Sequence, residues 1–170
     1  MRSEAIDPTG VEWARVDPTY IPIRVVGTLV GWLITAIVIA VPLVLSWTGV
    51  WVQFPLWLQI PVIVVVVLWA AADLLLTPRR VRAIGYYERE DDLLIRSGLL
   101  WQRVVAVPYG RLQYVDIEAG PIMRRFGICT VQLKTASAST DAKIPGVRRE
   151  EGARLRDELS ARGQARLAGL

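Results

Sequence analysis

The chain has no histidine and one cysteine, Cys129, among 170 residues. These two absences exclude an intrachain disulfide, a Cys/His metal site and acid–base catalysis by imidazole. A glycine-rich phosphate loop of the P-loop or dinucleotide-binding type is also missing. Ser137 and Ser139 have no base to activate them. The paired acids Asp116/Glu118 and Glu150/Glu151 fit a strand edge and the first turn of a helix, where carboxylates favour the helix dipole. Cys129 falls on the apolar face of a strand pattern and reads as a buried, inert thiol. The sequence therefore predicts no catalytic centre, no metal and no cofactor.

Charge is missing from a long internal stretch. Val25–Ala72, 48 residues, contains no Asp, Glu, Lys or Arg, and Arg24 and Asp73 bracket it. A bilayer core of about 30 Å takes about 20 apolar residues per helix. The stretch therefore predicts two spans, 25–45 and 56–76, within a hairpin over 25–76. Gly49 and Pro55 mark the turn, and Trp47, Trp51, Phe54 and Trp57 gather there as aromatics do at a membrane interface. Pro42 and Pro61 are tolerable inside spans. The first span starts too late and runs too long for a cleaved signal, so it reads as an uncleaved anchor. Asp73 is the ionisable residue of the apolar run. An acid in such a place suggests either transport or an interfacial ion pair, for which Arg80, seven residues on, shares the helix face.

The basic charge follows the hairpin. Residues 1–24 carry a net of −1 and residues 79–170 a net of +6, within a total of +4. Arg24 precedes the first span, Arg79, Arg80 and Arg82 follow the second, and the loop between has no Lys or Arg. The positive-inside rule then places both termini in the cytoplasm of a two-span plasma-membrane protein. The four arginines are candidate contacts for the membrane surface and its anionic lipids, and no nucleic acid is implied. Residues 1–24 form a short polar segment, and its Trp13, Val16, Tyr20 and Ile23 are expected to rest on the headgroups.

After Thr77-Pro78 the pattern changes to period two. Val81–Arg89, Leu93–Arg96, Leu99–Val107, Arg111–Glu118, Ile128–Thr135 and a short Ala142–Ile144 read as strands, with turn signals at Glu90–Asp92, Ser97-Gly98 and Pro108–Gly110. In Ile128–Thr135, Cys129, Val131 and Leu133 should face inward. Arg148–Leu167 is helical in pattern. Gly152, Leu155 and Leu159 form its apolar stripe, and the two leucines are expected to plug one end of a barrel.

These motifs carry a resemblance. Gly98-Leu99-Leu100, Arg103, Val107-Pro108 with Arg111-Leu112-Gln113, then Pro121, Arg125-Phe126-Gly127, Val131-x-Leu133-x-Thr135 and Ile144-Pro145-Gly146 follow a two-span hairpin. Trp13-x-Arg15-Val16-x-Pro18 precedes it. In this order they resemble the membrane-tethered bacterial pleckstrin-homology (PH) domain proteins of the second group. The resemblance implies a membrane protein with a transmembrane hairpin and a mainly-β PH-like barrel of two near-orthogonal sheets over 79–163. A C-terminal α-helix closes the barrel, and 164–170 is a tail. It further implies a non-catalytic, membrane-anchored binding or scaffold module that docks a membrane protein or a second copy of itself. Phosphoinositide binding is not expected, because the loop between the first two predicted strands, Glu90–Asp92, is acidic. Arg103, Arg111, Arg124 and Arg125 could form a partner-binding patch or hold the Pro121–Gly127 corner. Two alternatives stand beside the scaffold: a small transport or channel subunit built on Asp73, and an anionic-lipid sensor.

Overall fold

The structure, a computed structural model, describes residues 12–48, 55–136 and 141–167. Gly49, Trp51 and Phe54 of the expected interfacial turn, and Ser137 and Ser139, lie outside them. The chain divides into two compact units: residues 22–78, and a second built from residues up to Ile21 together with Arg79 onward.

The first unit is helical. Helix α1 is Tyr20–Trp47 and helix α2 is Leu56–Arg82, both long and apolar enough to cross a membrane. At 1.5 Å per residue each is about 40 Å long, more than one hydrocarbon core. Their side chains stand open, with Leu33, Val38, Leu68 and Trp69 more than 60% exposed, as lipid-facing residues do. Helix α2 outruns the expected span. Pro78 does not end it, and the Thr77 hydroxyl donates to the Asp73 carbonyl one turn back at 2.8 Å. Only Ala83 and Ile84 separate α2 from the next strand, and Val81, expected to open the first strand, is helical and 3% exposed.

The second unit holds two antiparallel sheets. One runs in the order β1 (Ala14–Arg15), β2 (Gly85–Glu88), β3 (Asp92–Ser97), β4 (Arg103–Pro108). The other runs β5 (Leu112–Glu118), β6 (Ile128–Thr135), β7 (Ala142–Arg148). A short helix α3 (Pro121–Arg125) joins β5 to β6, and helix α4 (Arg149–Leu167) ends the described chain and packs on β5, β6 and β7. The expected barrel is not closed. Among the described residues no ladder joins the sheets. Strand β4 ends at Pro108, which has no N–H to give, and the chain goes on into a 3-10 turn at Tyr109–Arg111. At the other edge a single backbone bond, Asp17 N to Gly146 O at 2.8 Å, ties the segment after β1 to β7.

Three further differences from the sequence pattern have local causes. Residues 98–102 are a turn and not the start of a strand, because Gly98 at φ +93° reverses the chain and the first rung pairs Ser97 with Arg103. Trp101, which the sequence pattern set within a strand, is therefore in the turn and 86% exposed. Strand β7 runs past Ile144 through a bulge. Val131 pairs with Ile144 and Cys129 with Val147, so Pro145 and Gly146 together oppose Thr130, and Gly146 supplies the φ of +72°. A Cβ on Gly146 would lie 2.6 Å from Tyr20 Cβ. Lastly, the acidic turn Glu90–Asp92 joins the second and third strands of its sheet. The connection between the first and second strands is the helical hairpin itself.

The N-terminal segment is thus part of the folded unit. Ala14 pairs with Tyr86 and Arg15 with Gly85. Val16, expected on the headgroups, is 7% exposed in a core that it shares with Val81, Leu93, Ile95, Val107 and Val147. Leu155 and Leu159 of α4 reach that core with no exposed surface, as the stripe predicts. Gly152 of the stripe lets α4 approach β6, since a Cβ there would stand 2.5 Å from Cys129 Sγ.

A fragment beginning at Arg79 should consequently be incomplete. Residues 12–21 joined to 79–167 by a flexible linker in place of the hairpin should unfold at higher denaturant than 79–167 alone. The gain should be about 2 kcal/mol or more, the worth of burying a side chain such as Val16. Equal urea midpoints would show that β1 adds nothing to the unit.

Candidate functional site

The segment from Arg15 to Ile21 forms one wall of a cleft of about 620 Å³, all of it within the sheet unit. Val81 and Arg82 at the end of α2, Tyr86 of β2, Val147 and Arg148 of β7 and Glu151 of α4 complete the lining. Asp17 anchors the wall. Its carboxylate accepts from the Thr19 N–H at 2.8 Å and from Arg148 Nε at 2.6 Å. With Pro18 next in sequence this is the arrangement of an N-cap residue followed by proline in the first turn, and it starts α1. The Thr19 and Arg148 hydrogen bonds pull the Asp17 carboxyl down from 3.8 to about 2.

On the opposite wall Tyr86 donates its hydroxyl to Glu151 at 2.9 Å. Arg154 reaches Glu88 at 2.6 Å and Glu151 at 2.7 Å, joining α4 to β2. Burial and the Glu151 carboxylate hold the Tyr86 hydroxyl well above its ordinary range. The Arg154 hydrogen bond, ahead of that from Tyr86, lowers Glu151. Both cleft acids are thus satisfied within the protein. Further along α4, Arg162 lies over the fully buried Tyr109 ring, 5.4 Å from its centroid, and donates to the Arg89 carbonyl at 2.9 Å. Burial pushes the Cys129 thiol up, which fits the inert role expected of it.

Arg103, Arg111, Arg124 and Arg125, read as a possible partner or structural patch, come from the ends of three elements. Arg111 precedes β5 and Arg124 and Arg125 follow it, so a seven-residue strand puts about 20 Å between them. Arg103 opens β4, at the end of that strand remote from Arg111. Arg124 Nε donates to the Ala119 carbonyl at 3.0 Å, the backbone contact anticipated for the Pro121–Gly127 corner. Arg24 lies in α1, and Arg79, Arg80 and Arg82 form the last turn of α2, where cations favour the helix dipole. Only Arg82 of these lines the cleft. Arg15, Asp17, Arg148 and Glu151 come together there from distant parts of the chain, and the one local signal for any of them is Asp17-Pro18 as a helix start.

Within the helical unit, Asp73 accepts a hydrogen bond from Trp32 Nε1 at 3.2 Å, and Gln59 accepts one from Trp47 Nε1 at 3.1 Å. Two polar side chains of α2 are therefore each met by an indole of α1, which holds the helices in register.

The Asp17 contacts make a pH prediction. Because the folded carboxyl is depressed, its contribution is complete above the ordinary value of 3.8 and is lost as pH falls toward 2. Asp17→Asn should lower stability at pH 7 and flatten the loss between pH 4 and pH 2, read by urea unfolding of the full chain in detergent. Parallel pH profiles for the two proteins would remove Asp17 from the acid response.

A family model described as Bacterial PH domain matches residues 19–163. The chain is 28% identical over 129 residues to the UPF0699 transmembrane protein YdbS of Bacillus subtilis (strain 168), covering 75% of this chain and 80% of that protein. No solved structure matches. Two apolar helices set between the first strand and the rest of two sheets capped by a helix, with a family match across 19–163, make this chain a member of the bacterial PH domain family, a membrane-associated group.

Proposed function

We propose that the chain is a non-catalytic, membrane-anchored binding module. Its hairpin spans the plasma membrane, and the sheet unit, in the cytoplasm, docks another membrane protein or a second copy of the chain. The observation that carries this reading is the β3–β4 turn. Leu100 and Trp101 are 73% and 86% exposed, beside the exposed Arg103 that opens β4. Tryptophan and arginine dominate the few residues that supply most binding energy at protein interfaces. An apolar tip held out in this way on a rigid hairpin is a surface that gains from being covered. The alternative of a transport subunit built on Asp73 loses force, because that carboxylate already engages Trp32 between the helices.

The cytoplasmic placement rests on the arginine flanks of the hairpin and on β1 pairing with β2. That pairing requires the residues before α1 and after α2 to share one compartment. Cysteines placed near Gly49 should react with a membrane-impermeant thiol reagent in intact cells, while cysteines near Ser137 should not. The reverse pattern would move the sheet unit outside the cell.

Docking is tested by a photo-crosslinking amino acid at position 101 in native membranes, with position 156 as control. A discrete protein adduct from 101 and not from 156, identified by mass spectrometry, is the expected result. Adducts confined to lipid, or none, would overturn the docking role of the turn.

A further inference from the structure

From the charge balance of the cleft we infer that it is a binding site for a phosphate-bearing anion, with an anionic phospholipid headgroup as the leading source. Five charged side chains line it. Asp17 is taken by Arg148, and Glu151 by Arg154 and Tyr86. Among the described residues no partner meets Arg15 or Arg82. Two exposed arginines without a partner among the described residues therefore line one cleft, while its acids are occupied. Guanidinium groups match phosphate oxygens in planar, paired hydrogen bonds, and are less strongly hydrated than lysine ammonium groups. Beneath them lie Val16, Val81 and Val147, each under 8% exposed, so the floor is apolar. A volume of about 620 Å³ falls within the range of small-molecule sites.

The position in the sequence points to a lipid. Ile21 lies in the first turn of α1 and Val81 and Arg82 in the last turn of α2, beside the points where the apolar runs begin and end. A headgroup at the boundary of a bilayer would meet the two arginines there without leaving its leaflet. The basic balance of residues 79–170 adds a general attraction to anionic lipid, but the cleft makes a narrower claim. Arg15 and Arg82 should matter, and arginines outside the cleft should not. The inference goes beyond the docking role of the β3–β4 turn and does not depend on it.

The test uses the full chain in nanodiscs of phosphatidylcholine containing phosphatidylglycerol, released into the gas phase for native mass spectrometry. Wild type should retain one phosphatidylglycerol under activation that strips phosphatidylcholine. Arg15→Gln/Arg82→Gln should lose most of that retention, by about tenfold, and Arg15→Lys/Arg82→Lys should keep a substantial part. Arg111→Gln/Arg156→Gln should match wild type, and circular dichroism should show the same fold in all four. In a second arm, inorganic phosphate is added to protein in neutral detergent and thermal unfolding is followed. Stabilisation of wild type and not of the glutamine variant, without lipid retention, assigns the site to a soluble phosphate. Retention unaffected by the glutamine pair, or a wild type that neither retains phosphatidylglycerol nor is stabilised by phosphate, would overturn the inference.

Discussion

The pairing of Ala14 and Arg15 with Tyr86 and Gly85 is the constraint on which the rest of the molecule depends. It is two residues long, yet it makes the hairpin an insertion in the sequence of the sheet unit and not a segment ahead of it. Both flanks of the hairpin must lie in one compartment, so any crossing of a membrane between them uses an even number of spans. The pairing also covers the outer edge of β2, which would otherwise present unpaired backbone groups. It brings Trp13 against Tyr87, with ring centroids 6.5 Å apart, and under Arg96, 5.8 Å from the guanidinium carbon. It carries Val16 into the core and delivers Asp17 to Arg148.

Helix α4 closes the unit from the other side. Leu155 and Leu159 fill the space between the sheets, Gly152 permits contact with Cys129, and Arg154 and Arg162 pin the helix to β2 and to the turn after it. The sheets need no continuous ladder because this helix covers the gap that a closed barrel would have sealed with backbone hydrogen bonds.

Much of this was legible in the sequence, for identifiable reasons. The hairpin shows because charge is absent over 48 residues. Strand β6 has the bounds its alternation gives, and the α4 stripe holds, because burial on one face imposes a period on many residues at once. What stayed hidden is short or long-range. A two-residue strand has no period. The 98–102 turn mimics alternation until Gly98 is seen to reverse the chain, and the β7 bulge breaks alternation at Pro145-Gly146. The cleft was legible only through Arg82. Arg15, Asp17, Arg148 and Glu151 meet through folding, and no local pattern announces a meeting between residues so far apart in sequence. Within the set Arg103, Arg111, Arg124 and Arg125, nearness in sequence misleads for the complementary reason: strand β5 stands between Arg111 and the Arg124-Arg125 pair.

The interruption of the sheet by the hairpin also sets an order of events during synthesis. Strand β1 leaves the ribosome about 70 residues before β2. At 5–20 residues per second that interval is roughly 4 to 14 s. An open chain of that length would bear the full entropy of loop closure, but a hairpin already inserted in the bilayer returns the chain to the side from which it left and shortens the loop that remains. On the proposed reading of the hairpin as membrane-spanning, the sheet unit gains its first strand only after both helices have crossed, and completion of its core reports that insertion has succeeded.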